Sequence, residues 1–278
     1  MSAVDNLTAP AGGRAGTGTS GNGGSPAPAG RDTRTGGHGD PGTPAATHTA
    51  ARGSLAGTES PRRETIAILG GTGDLGTGLA GRWSRAGYRV VIGSRTLAKA
   101  EAALAALRAR HPDTTARAAT NAAAAEAADI VVLTVPSAHQ VATLAGVQAS
   151  LTGKIVIDVT VPLVPPKVGT VQLPAEGSAG KRAQEFLGDG VMVVSAFQNV
   201  AAHLLQQDVE IECDVLVAGN KKAARDQVIE LVRAAGMTGW HAGPIDNAAA
   251  AEALTSVLIQ INRRHPISHA GIKLVGQG

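Results

Sequence analysis

The chain of 278 residues has one cysteine, Cys213, and only five aromatic residues, Trp83, Tyr88, Phe186, Phe197 and Trp240. A single thiol excludes an internal disulfide and a cysteine-based metal cluster, and the strand-like neighbours of Cys213 make it a small core residue. With so few rings, stacking on aromatic side chains cannot dominate the recognition of a planar ligand, so an aliphatic slot with backbone hydrogen bonds has to serve. No apolar run approaches the ~18 residues of a membrane span, and the expectation is a cytoplasmic protein without a membrane partner. Charge is scarce as well. Of the formal net charge of +3, residues 1–63 carry +2. The near-neutral remainder lacks the clustered positive charge that a nucleic-acid footprint needs.

Residues 1–63 also hold 14 of the 36 glycines and 6 of the 14 prolines, against four large apolar residues, Met1, Val4, Leu7 and Leu55. Such a segment cannot bury enough apolar surface to offset the entropy of ordering its backbone, so a disordered low-complexity tail is expected. It has neither the apolar core of a signal peptide nor the amphipathic, acid-poor character of a transit sequence.

From Thr65 the pattern changes. Thr65-Ile-Ala-Ile-Leu-Gly-Gly-Thr-Gly-Asp-Leu-Gly76 reads as a buried strand entering a glycine turn that opens a helix, with Leu75, Leu79 and Trp83 on one helical face. The glycines fall as Gly71-x-Gly73-x-x-Gly76, the spacing of a dinucleotide-binding turn. In this reading Gly71 allows the turn, Gly73 lets the backbone approach a pyrophosphate, and Gly76 lets helix and strand pack closely. The first N–H groups of the helix, with its dipole, then face the phosphates. The next strand, Arg89-Val-Val-Ile92, runs into Gly93-Ser-Arg95, with Lys99 just beyond. A carboxylate at this strand end would hold the ribose 2′-OH of NAD; Ser94, Arg95 and Lys99 suit a 2′-phosphate instead, and the dinucleotide is read as NADP(H). A solvated surface pair is the plainer reading of Arg95 and Lys99.

Strands and helices keep alternating at βαβ spacing. Helices are expected at 97–110, 122–128, 139–151, 178–187 and 221–235. Strands are expected at 129–135, 154–159, 191–196, 214–218 and near 239–240. Asp246 or Asn247 is expected to cap a last helix through Asn262, and Gly271–Val275 to add an edge strand. Between Thr160 and Glu176 lies a proline-rich loop long enough to suggest function. Right-handed crossovers imply an α/β, doubly wound parallel sheet of Rossmann type, with ligands at the carboxyl ends of its strands.

The motifs Leu69-Gly-Gly-Thr-Gly-Asp-Leu-Gly76, Ile92-Gly-Ser-Arg95 with Lys99, Leu133-Thr-Val-Pro136, Ser195-Ala-Phe197 and Asn262-Arg-Arg-His265 with His269-Ala-Gly-Ile-Lys273 occur together. In this combination the chain, from about residue 65 onward, resembles the NADPH-dependent reductases of coenzyme F420, the 8-hydroxy-5-deazaflavin:NADP oxidoreductases. The resemblance implies hydride transfer between C4 of the nicotinamide and C5 of the deazaflavin in a homodimeric enzyme. No catalytic side chain is implied: the protein aligns two rings and excludes water. By the same resemblance Thr72, Gly73, Asp74 and Leu75 hold the pyrophosphate, and Ser94, Arg95 and Lys99 the 2′-phosphate. Val135, His139, Val161 and Ala202 line the adenosine or nicotinamide side, and Gln198 and Val200 the deazaflavin side. Residues 64–196 would then form the NADP-binding domain, and 197–278 a smaller C-terminal α/β portion completing the deazaflavin site. Where many relatives place a histidine after Ser-Ala-Phe, this chain has Gln198, which can donate and accept a hydrogen bond but carries no charge.

Other polar residues admit two readings each. His139 either contacts a cofactor or bonds backbone at a helix start, and His203 either substitutes for the missing histidine or lies on a helix surface. Asp158 reads as a loop-capping carboxylate or a general base. Arg263, Arg264, His265 and His269 form a basic cluster for an anion or a solvated helix end. Two alternatives to the deazaflavin activity stay open at this point: an NADPH-dependent reductase of an imine, keto acid or flavin, and a non-catalytic NADP(H) sensor.

Overall fold

The computed structural model describes residues 64–276; the tail expected at 1–63 lies outside the described residues. Its strands are β1 (Thr65–Leu69), β2 (Arg89–Ser94), β3 (Arg117–Thr120), β4 (Ile130–Leu133), β5 (Ile155–Asp158), β6 (Met192–Ser195), β7 (Asp214–Gly219) and β8 (Thr238–Gly243). Its helices are α1 (Asp74–Arg85), α2 (Leu97–Arg110), α3 (Asn121–Ala127), α4 (Gln140–Ala145), α5 (Ala179–Leu187), α6 (Ala202–Leu205), α7 (Lys222–Ala234) and α8 (Ala248–Arg264). The strands form one eight-stranded sheet in the order β3-β2-β1-β4-β5-β6-β7-β8. β4 is a continuous run of Ile, Val and Leu, and β1 and β5 are aliphatic apart from Thr65 and Asp158, because both faces of the sheet are covered.

Pairing is parallel from β3 through β6, antiparallel between β6 and β7, and parallel again between β7 and β8. The reversal has a local cause. The link from β6 to β7 contains only the four-residue α6, which packs on α1 and not across the sheet, so no crossover helix carries the chain back to the starting edge. β7 overlaps β6 only through Val194↔Gly219 and Ser195↔Ala218. Its earlier residues therefore project past the carboxyl end of β6, and the whole segment 196–213 stays at that end of the sheet.

Three expectations need correction. Residues 139–151 form a short α4 flanked by 3-10 turns at Ser137–His139 and Gln148–Ser150. Gly271–Val275 is not an edge strand: beside the projecting start of β7 the segment makes only isolated bonds to Asp214, from Asp214 N–H to the Ile272 carbonyl (2.8 Å) and from Leu274 N–H to the Asp214 carboxylate (2.8 Å). Asn247 stands at the start of α8 without a side-chain cap, because its amide donates to the Ala242 carbonyl instead. β3, with the sequence Arg-Ala-Ala-Thr, carries no strand signature of its own; register with β2 makes it a strand.

Helix α1 reads as amphipathic and buries Leu75, Leu79 and Trp83. Its glycines mark three close approaches. A Cβ at Gly76 would lie 2.6 Å from the Gly71 Cα, one at Gly78 2.5 Å from the Leu205 Cβ, and one at Gly81 3.2 Å from both Leu107 and His111. The helix is thereby wedged among the glycine turn, α6 and α2.

Candidate active site

The glycine turn joins β1 to α1 at the carboxyl edge of the sheet. Gly70 and not Gly71 takes the left-handed conformation, φ +69°, and Gly71 is required for space: a Cβ there would lie 2.7 Å from the Ile68 carbonyl oxygen. Gly71 N–H donates to the Gly93 carbonyl at the end of β2 (3.1 Å). Gly70 N–H donates to Asn121 Oδ1 (3.3 Å), so the first residue of α3 pins the turn. Gly73 caps α1 with extended backbone, leaving the N–H groups that follow it at the helix start. This is a cradle into which backbone, and not side chains, can bring a phosphate.

The sheet brings the other expected residues to the same edge. Ser94 ends β2 and is buried; Arg95 and Lys99, at and just inside the start of α2, are exposed, and neither forms an ion pair or hydrogen bond among the described residues. Two unengaged cations beside a phosphate cradle fit a 2′-phosphate. Val135 follows β4 and is half-buried, with its Cγ1 against Gly70. His139 is exposed in the 3-10 turn before α4, and Val161 is half-buried after β5. Thr72 and Asp74 are exposed at the turn, whereas Leu75, Val200 and Ala202 are buried in the core beneath it. Sequence reasoning finds no cue to Asn121, whose role depends on the fold bringing α3 under the turn.

A buried polar network lies at the carboxyl end of β5. Asp158, fully buried at the end of β5, accepts from Thr160 N–H (2.8 Å) and from the Gln140 amide. Gln140 also donates to Thr160 Oγ1 (3.1 Å) and the Ala179 carbonyl (2.8 Å) and accepts from Arg182 (2.7 Å). Asp158 is thus a loop-capping carboxylate; burial pushes it above the usual carboxylate range, while the Thr160 and Gln140 bonds and nearby Arg182 oppose that shift. The Gln198 amide nitrogen donates to the Asp158 carbonyl (2.9 Å) and Ser195 Oγ (2.8 Å), and its buried Oε1 has no partner among the described residues. Phe197 adopts φ +71°, strained for a residue with a Cβ, and sets its ring edge-on to Trp83 of α1 at 5.9 Å. His203, exposed on α6, stacks on His269 at 5.2 Å. A hollow of about 420 Å³ lined by Glu64, Tyr88, Ile130 and Leu231 opens at the amino ends of β1, β2 and β4, away from all these groups.

Glu252 of α8 clamps the far end of the loop after β5, accepting from Ala179 N–H (2.6 Å) and Gly180 N–H (3.0 Å). Burial pushes its carboxyl from 4.5 up to about 7, with Asp158 adding to the shift and the two N–H groups and Arg182 opposing it. A group raised by folding stabilises the fold fully below its unfolded pKa, and that contribution is lost as pH rises through the folded one. Thermal stability should therefore fall between pH 4.5 and 8, by on the order of 3 kcal/mol from this group. Melting curves across that range should show a flatter profile for Glu252→Gln; an equally steep profile would assign the dependence elsewhere.

With this geometry in place, known proteins can be compared. The profile of the family described as NADP oxidoreductase coenzyme F420-dependent matches residues 65–162. An F420-dependent NADP reductase of Methanothermobacter marburgensis is 40% identical over 217 residues, covering 75% of this chain and 97% of that protein. The chain belongs to the F420-dependent NADP reductase family. A second member, from Methanocaldococcus jannaschii, is 35% identical over 218 residues, covering 75% of this chain and 97% of that protein. A crystal structure from Arthrobacter sp. FB24, provisionally described as an F420-dependent NADP-reductase, superposes with a TM-score of 0.66 at 27% identity, covering 77% of this chain and all of that one.

Proposed function

We propose that this chain is an oxidoreductase that transfers a hydride between NADP(H) and coenzyme F420. The observation that carries the reading is its span over 97% of a relative whose name holds both coenzymes. The two coenzymes supply the chemistry, a hydride passing between C4 of the nicotinamide and C5 of the deazaflavin. The chain's own residues bind, orient and exclude water. Thr72, Gly73, Asp74 and Leu75 hold the pyrophosphate, and Ser94, Arg95 and Lys99 the 2′-phosphate. Val135, His139, Val161 and Ala202 border the adenosine or nicotinamide side. Residues 64–196 form the NADP-binding part, 197–278 complete the deazaflavin side, and the enzyme is a cytoplasmic homodimer. No side chain acts as the proton donor to the reacting carbons.

Gln198 and Val200 belong to the deazaflavin side. The Gln198 amide nitrogen is committed inside the protein, so toward a ligand it offers only Oε1, the acceptor without an internal partner. One neutral hydrogen bond contributes about 0.5–1.5 kcal/mol net. Gln198→Ala is therefore expected to raise the deazaflavin KM about two- to tenfold, leave that of NADPH unchanged and lower kcat modestly. The test follows the visible absorbance of oxidised F420 mixed with NADPH and protein. A collapse of kcat by several orders of magnitude in the variant would contradict direct transfer without a protein acid. No F420 reduction by the parent protein would remove the substrate half of the reading.

A further inference from the structure

Segment 197–209 is fastened to the dinucleotide helix at several points. The Gln206 amide donates to the Asp74 carbonyl and to Thr77 Oγ1 (2.7 Å), and Thr77 Oγ1 donates in turn to the Gly73 carbonyl (3.0 Å). A hydrogen-bond chain thus runs from the residue after α6 into the phosphate turn. One turn further along α1, the buried guanidinium of Arg82 donates to the carbonyls of Leu204 (3.3 Å), Leu205 (3.3 Å), Gln207 (3.0 Å) and Val209 (2.9 Å), and to that of Ala235 (2.8 Å). Four of those five acceptors lie in one stretch of six residues. The Leu205 side chain fills the space that the missing Cβ of Gly78 leaves, and Phe197 closes on Trp83 at the other end.

An arginine with five carbonyl acceptors and no carboxylate partner of its own among the described residues is an elaborate way to hold a four-residue helix. Apolar packing would hold it without burying a charge. The arrangement gives α6 a backbone position set by α1, and α1 is the element whose first turn meets the dinucleotide.

We propose that Arg82 and Gln206 form a clasp that makes the position of segment 197–209 depend on the dinucleotide turn, and that Gln206 is a positioning residue for hydride transfer, acting through Thr77 and Gly73. The proposal rests on the functional reading above. It assigns the clasp the job of setting the separation of the two rings, a quantity to which transfer rates are steeply sensitive.

Hydrogen exchange on the full-length protein, with and without NADP+, tests it directly. In the parent, NADP+ is expected to slow exchange at residues 70–77 and, through the clasp, at 202–209 by about fivefold or more. In Gln206→Ala the first protection should remain and the second should fall below about twofold. The Kd for NADPH should move less than about threefold and the single-turnover hydride rate should drop about tenfold. Gln206→Glu, which keeps the length but loses the donor, should behave like the alanine variant; Arg82→Lys should show the same pattern more strongly if it folds. Protection at 70–77 without protection at 202–209 in the parent overturns the clasp alone. So does an alanine variant that keeps both the parent protection and the parent rate. No protection at either place overturns the dinucleotide reading and the clasp together. Protection at both without F420 reduction leaves the clasp standing and overturns only the substrate.

Discussion

Gly76→Ala is expected to weaken NADPH binding about a hundredfold, the largest loss anticipated for a one-carbon change in this chain. The added Cβ would sit 2.6 Å from the Gly71 Cα and 2.9 Å from its carbonyl carbon. Both are backbone atoms of a turn already held by Gly93 and Asn121. Neither side can yield by rotating a side chain, so α1 has to back away from the turn, and its N–H groups move off the position proposed for the pyrophosphate. Losing one or two charged hydrogen bonds, at about 1.5–3 kcal/mol each, is enough for a loss of this size. Overpacking of this kind also costs about 1–3 kcal/mol of stability. Titration of NADPH fluorescence beside a melting curve separates the two effects. Parent-like affinity in the variant would mean that the phosphates bind elsewhere.

Arg95→Ala should weaken NADPH by about ten- to a hundredfold and leave NADH nearly unaffected. The guanidinium is exposed and has no ion-pair partner among the described residues, so its removal disturbs no internal contact. Its planar fork matches a phosphate, and a charged hydrogen bond contributes about 1.5–3 kcal/mol. Comparison of KM for the two nucleotides gives the answer as a ratio. Equal losses for both would place Arg95 at the adenine or in the fold, and the argument for NADP(H) would lose its main support.

The parts of this fold that can be read in the sequence are those whose information is local. β1, the glycine turn and α1 occupy twenty-one consecutive residues, and β2 ends in Ser94; periodicity and glycine spacing suffice there. The buried strands β4 and β5 announce themselves by aliphatic runs, broken only by Asp158 at the end of β5. What escapes is whatever depends on partners far along the chain. Arg82 looks like a basic residue in the last turn of a helix, yet its acceptors lie 122 to 153 residues away. Gln206 reads as a surface glutamine until the fold sets it over Thr77, 129 residues earlier. That Gly70 takes the left-handed conformation while Gly71 is needed for space beside the Ile68 carbonyl is likewise hidden, because the two are chemically identical neighbours. The placement of β7 is hidden for the same reason: strand direction is a property of the connection, and the connection packs against α1.

The three glycines that let α1 nestle against its neighbours also make it a poor helix in isolation. Each lowers intrinsic helix propensity by about 1 kcal/mol relative to alanine, so a twelve-residue segment with Gly76, Gly78 and Gly81 has no prospect of nucleating alone. Its stability therefore rests on packing against β2, α2 and the α6 segment in the native body. A phosphate-binding end that exists only in the assembled body cannot capture dinucleotide from a partly folded chain. Every increment of cofactor affinity then stabilises the native state alone, and NADP(H) in solution acts as a mass-action brake on unfolding.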